Sequence, residues 1–137
     1  MSWNGISLIL VLTNLAATTL HCLDNVLYFD SYPEPDWISH PAIVAALYLV
    51  AAALLVAGHV AFRRRLRWMS ALCLLSFSVI SAAALGHYLY APMSSLTAKM
   101  NALILLETSA AVVLAGFVMV AQVFWQRLDE QAPEPGP

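Results

Sequence analysis

Four ionisable side chains, His21, Asp24, His87 and Glu107, lie inside or at the rim of stretches that are otherwise almost entirely apolar. Imidazole and carboxylate together form a ligand set for zinc, iron or copper, and the same groups move protons in acid–base catalysis. An aspartate at the centre of a hydrocarbon layer costs about 3 kcal/mol on insertion scales, so each such group needs a partner or a task. His21-x-x-Asp24 sets two donors one helical turn apart. The expected metal ligands are therefore His21, Asp24, His87 and Glu107, with His40 available as a capping ligand. For catalysis, the candidate acid–base groups are Glu107, His87 and Tyr88, with Tyr28 and Tyr90 as further proton donors.

Positioning these groups falls to elements that the composition already defines. The 137 residues are 61% hydrophobic and 10% charged, with a mean hydropathy of +0.77, more apolar surface than a water-soluble domain of this size can hide. Apolar runs predict helices at about residues 6–24, 41–62, 67–90 and 100–126, each close to the ~20 residues that cross ~30 Å of hydrocarbon. Runs such as AIVAALYLVAAALLVAG lack the alternation a membrane β-barrel needs. The expected fold is an all-α membrane protein, a four-transmembrane-helix antiparallel bundle forming one domain over residues 1–131, with a disordered tail at 132–137. The first segment has small residues at Ala16 and Ala17 but no basic n-region, and reads as a spanning helix rather than a cleaved leader.

Arg63, Arg64, Arg65 and Arg67 fill the turn between the second and third helices, Arg127 follows the fourth, and Lys99 alone lies at the opposite end. The positive-inside rule then predicts a cytoplasmic turn and cytoplasmic termini, in a bacterial inner membrane. The loops at residues 25–41 and 91–99 would face outward.

Helical phase sharpens the placement. Asn14, Thr18, His21, Asn25 and Tyr28 recur at steps of four and three along one face of the first helix, joined by Asp24. Ser76 and His87, eleven residues apart, fall within about 20° of each other on a regular helix, and Gly86 beside His87 would let a helix or ligand approach. Glu107 lies one or two turns inside the fourth helix, near Asn101 and Thr108, and has protonation, pairing with a cation such as Lys99, or metal coordination open to it. The proline-stiffened loop from Tyr28 to Pro41 holds three acids that give the outer mouth a negative field, and aromatics suited to an interfacial belt. Ser39 and Pro41 suit the start of the second helix. His59, beside the arginine turn, is expected to reach anionic lipid headgroups with Arg63–Arg67. Cys22 and Cys73 lie near opposite faces and form no Cys-x-x-Cys motif. Phosphate-loop, dinucleotide, nucleophile-elbow and His-Glu-x-x-His patterns are absent.

The leading expectation is a small membrane protein with an outward-facing intramembrane polar site that binds a metal ion or acts on a lipid-soluble ligand. The alternatives are metal-free binding or isomerase-like acid–base chemistry on a sterol-type ligand, an accessory subunit of a larger complex, and a proton- or cation-coupled transporter. The partners expected are the bilayer, a lipid-soluble small molecule and further copies or subunits, but no nucleic acid. In helix count and polar outer half the chain resembles the sterol-isomerase and sigma-2-receptor group of membrane proteins. That resemblance implies ligand chemistry in an intramembrane cavity and, with no motif matched residue by residue, assigns no site residues.

Overall fold

The computed structural model describes residues 2–130, with side chains described through Trp125; the expected disordered tail lies outside them. Every regular element among the described residues is helical: α1 (Trp3–Leu27), α2 (Pro41–Arg63), α3 (Arg67–Ala82), a one-turn α4 (His87–Tyr90) and α5 (Ala98–Glu130). Four helical stretches are long and apolar enough to cross a membrane, namely Trp3–Leu27, Pro41–Arg63, Arg67–Tyr90 and Ala98–Trp125. The first runs three residues beyond each limit read from the sequence, the second and fourth differ from theirs by one or two residues at an end, and the third coincides with its limits; capping groups set the starts of the first two. Ser2 Oγ accepts the Gly5 N–H at 3.2 Å to start α1. At α2 the N-cap is His40, not the expected Ser39: His40 Nδ1 accepts the Ala42 N–H at 3.1 Å, and Pro41 occupies the first turn.

The helices form a ring in which α1 packs on α2 and α5, and α3 packs on the same two. Contacts such as Ser7 with His59, Thr19 with Tyr48 and Lys99 with Asp24 make adjacent helices antiparallel. Between α2 and α3 the chain reverses in a Schellman turn: Leu66 N–H bonds Ala61 O and Arg65 N–H bonds Phe62 O, at 2.9 and 3.0 Å. Arg65 holds the left-handed position of that motif, with φ 56°, where glycine is the usual occupant.

The helix sides are distributed inside out relative to a water-soluble bundle. Leu8, Ile9, Leu49, Leu72, Val79 and Val113 are exposed, whereas Ser7, Asn14, Thr18, Ser70, Ser78 and Ser81 are buried. Backbones approach closely through small residues. A Cβ added at Gly58 would come within 2.6 Å of Leu74 Cδ2 and 3.1 Å of Cys73 Cβ, so α2 and α3 touch at that level. Towards Pro41 they part. All the buried residues of α2 lie between Ala51 and Phe62, and the apolar core of Leu55, Leu74, Phe77 and Leu114 sits in the same arginine-side half.

The third span is not one regular helix. Residues Ala83–Gly86 wind as a 3-10 turn between α3 and α4. The regular ~100° step that would set Ser76 and His87 on one face therefore does not run unbroken between them. Ser78 and Ser81 are the residues of this span that are buried toward its outer end, while Ser76 is only partly buried.

Candidate functional site

Along α1 the face Ser7, Asn14, Thr18, His21 and Asn25 is buried, with Asp24 beside it. Tyr28 leaves it: as the C-cap of α1 it is 51% exposed. The lower part of the stripe joins helices together. Asn14 Nδ2 donates to Ala110 O at 3.1 Å, and the Thr18 and Ser81 hydroxyls lie 3.4 Å apart. The upper part meets the other ionisable groups.

There the chemistry divides into pairs. His21 Nδ1 lies 2.5 Å from Glu107 Oε2, a charge-assisted hydrogen bond between side chains 7% and 8% exposed. Asp24 is held from two sides, by Lys99 Nζ at 2.5 Å and by the Tyr32 hydroxyl, which donates to Oδ2 at 2.8 Å. His87 Nδ1 donates to Pro33 O at 3.2 Å, with Glu34 Oε1 3.7 Å away. Since both neighbours of that nitrogen only accept, it carries a proton. Glu34 Oε1 also accepts from Asn25 Nδ2 at 2.6 Å. The rings of His21, Tyr32 and His87 gather with centroids 5.2–5.7 Å apart.

The expected metal centre is not assembled. His21 and Glu107 converge and His87 stands next to them, but Asp24 is turned to Lys99 and Tyr32. Among the described residues no group of three or more His, Cys, Asp or Glu side chains could hold a metal ion. The reason is satisfaction: each carboxylate already has a partner, Glu107 in His21 and Asp24 in Lys99 and Tyr32. The cation available to Glu107 in sequence, Lys99, reaches Asp24 instead, with its ammonium 3.9 Å from the Tyr28 ring centroid. His40 is engaged as the α2 cap and does not line the site. His59 turns into the bundle, its Nδ1 3.0 Å from Ser7 Oγ, rather than out to headgroups.

Two residues of the loop, read from sequence as belt and field, belong to the site. Tyr32 is 5% exposed, and its phenol is pushed far up, first by burial, then by its hydrogen bond to Asp24 and the charges of Asp24 and Glu34, so it remains a donor. With Pro33 and Glu34 it straps the loop across the end of the bundle. The three prolines around it are the sequence signal for a fixed loop path, although not for where that path leads.

Beneath the strap lies a cavity of about 510 Å³ between α1, α2 and the third span. Its walls are apolar, including Val44, Leu47, Val79 and Ile80; its polar end is formed by His21, Asn25, Glu34, His87 and Glu107. Leu47, Val79 and Leu89 line it and are also 40–85% exposed on the outer surface, so it opens sideways between the diverging ends of α2 and the third span. Gly86 borders it and leaves room: an added Cβ would meet nothing within 4 Å. Of the candidate tyrosines only Tyr90 lines the cavity; Tyr88 donates to Asn101 Oδ1 at 3.0 Å.

His21 Nε2 and Asn25 Oδ1 are buried without a hydrogen-bond partner among the described residues. Because Asn25 Nδ2 is fixed on Glu34, its free atom is an acceptor. A neutral His21 ring that donates Nδ1–H to the Glu107 carboxylate would leave Nε2 as an acceptor, the arrangement of an imidazole base oriented by a carboxylate. No family model matches the chain, and no curated protein or solved structure matches it.

Proposed function

We propose that this is an integral membrane protein that binds a lipid-soluble amphiphile in the lateral cavity, with the ligand's polar end at the His21–Glu107 and His87–Glu34 pairs. The observation that carries this reading is a single space with apolar walls, a sideways opening and a buried histidine–carboxylate end. Ligand sites combine apolar walls with a few polar groups in this way, and a mouth lined by Leu47, Val79 and Leu89 suits entry from hydrocarbon. The free Asn25 Oδ1, joined by His21 Nε2 when that ring is neutral, favours a head group that donates hydrogen bonds, such as an alcohol, over a carboxylate, which would face Glu34 and Glu107. His21, backed by Glu107, is the group suited to take a proton from such a ligand. By the positive-inside rule the arginine turn and both termini are cytoplasmic, which puts the cavity in the outer half of a bacterial inner membrane.

The test is mass spectrometry of the organic extract of detergent-purified protein, run on wild type and on Gly86→Leu, which adds a side chain at the cavity border where an added Cβ would meet nothing within 4 Å. Wild type is expected to carry one apolar, hydroxyl-bearing species near stoichiometry, and Gly86→Leu at least tenfold less. Identical extracts containing only bulk lipid would overturn the proposal.

A further inference from the structure

At the arginine end, away from the buried histidines, a second cavity of about 190 Å³ is lined by Arg63 and Arg65 and walled by Trp3, Phe62, Phe124 and Trp125. The wall is built rather than incidental. Trp3 stacks on Phe124 with centroids 5.2 Å apart, Phe62 packs on Trp125 at 4.9 Å, and Phe117 lies between, 5.7 Å from Trp3 and 5.5 Å from Phe62. The first turn of α1 completes the rim at Ser2 and Asn4; the leading N–H groups of a helix have no acceptor within it and favour an anion. Among the described residues no carboxylate lines this cavity, and neither arginine makes an ion pair with a carboxylate.

Position and charge together select the ligand. The four apolar spans end at this level, at Trp3, Arg63, Arg67 and Trp125, where a lipid phosphate would lie and where tryptophan side chains are suited to an interface. Two guanidinium groups recognise phosphate well and remain charged at any pH of interest. The aromatic wall, with Trp3 36% and Phe124 41% exposed, continues the cavity onto the apolar outer surface, a route for acyl chains that a free phosphate would not need. The volume accommodates a phosphate and its neighbouring glycerol carbons but not an acyl chain. Arg65 also keeps its place at φ 56°, in the left-handed region that a non-glycine residue adopts only at a cost.

We propose that this pocket is a specific site for an anionic phospholipid, its phosphate held by Arg63 and Arg65 and its chains running over Trp3 and Phe124. The site is independent of the lateral cavity. Arg64 supplies the control: it lies between the two, carries the same charge and does not line the pocket.

The experiment is native mass spectrometry of the full chain in detergent, titrated with phosphatidylglycerol, with phosphatidylcholine of the same chains, and with inorganic phosphate as competitor. Phosphatidylglycerol is expected to bind at least tenfold more tightly than phosphatidylcholine, and millimolar phosphate should not displace it. Arg63→Gln/Arg65→Gln should weaken it at least tenfold, and Arg64→Gln by less than twofold. Arg65→Gly should raise the melting temperature while still weakening the lipid, separating binding from folding. A loss for Arg64→Gln as large as that for Arg65→Gly would mean a diffuse positive field, and displacement by phosphate would mean a free-anion site; either result overturns the proposal.

Discussion

The carboxylate of Glu107 and the imidazole of His21 sit 2.5 Å apart with less than a tenth of either side chain exposed, so neither has water to fall back on. Removing one partner of such a pair leaves the other buried and unsatisfied and costs about 1–3 kcal/mol, more where the stranded group is charged, whereas replacing both by apolar groups of similar volume is often neutral or favourable. Glu107→Ala should therefore lower the unfolding free energy in detergent titrations by roughly that amount. The double variant His21→Leu/Glu107→Leu should recover most of the loss while losing ligand. Simple addition of two large losses would mean that the two residues act separately and that the pair is not a unit. That a histidine and a glutamate in these segments would need partners was legible in the sequence, because the desolvation cost attaches to the residue itself. Which partner each takes was not. By chain distance Lys99 is far nearer to Glu107, on its own helix, than to Asp24, and only the antiparallel register of α1 and α5 brings it to Asp24.

Among the elements, the crossing of α2 and α3 decides whether there is a cavity. The helices are in contact where Gly58 faces Leu74, a fully buried side chain, and diverge beyond Ala51. Gly58→Ala would drive a methyl into Leu74, and overpacking of that kind costs about 1–3 kcal/mol. The same substitution at Gly86 meets open space and should be neutral or gain up to about 1 kcal/mol from helix propensity. Thermal unfolding monitored by circular dichroism compares the two, and an equal effect at both positions would refute this crossing. Helix number and approximate extent could be read from the chain because apolar run length scales directly with the thickness to be crossed. The 3-10 turn at Ala83–Gly86 could not, since no residue there forbids a regular helix. It interrupts the regular helix immediately before His87.

For the whole molecule, the exposed surface of the spans is apolar and the polar side chains are turned inward, the distribution expected when hydrocarbon rather than water surrounds the spans. Charge then predicts orientation. In a Cys22→Ser/Cys73→Ser background, Ser39→Cys should react with a membrane-impermeant maleimide on intact cells, and Arg64→Cys only after permeabilisation; the reverse pattern would invert the topology. Residue type and local period were enough to specify four apolar helices, the asymmetry of their basic residues, and the buried polar face of α1. Packing in three dimensions was needed to set the ionisable residues in pairs rather than a metal centre, to bring Tyr32 and Glu34 back from the loop to join them, and to open a cavity beside them. Those outcomes depend on distances between residues remote in sequence, such as His21 and Glu107. Helical period fixes the face on which a side chain lies, but only packing fixes what lies opposite.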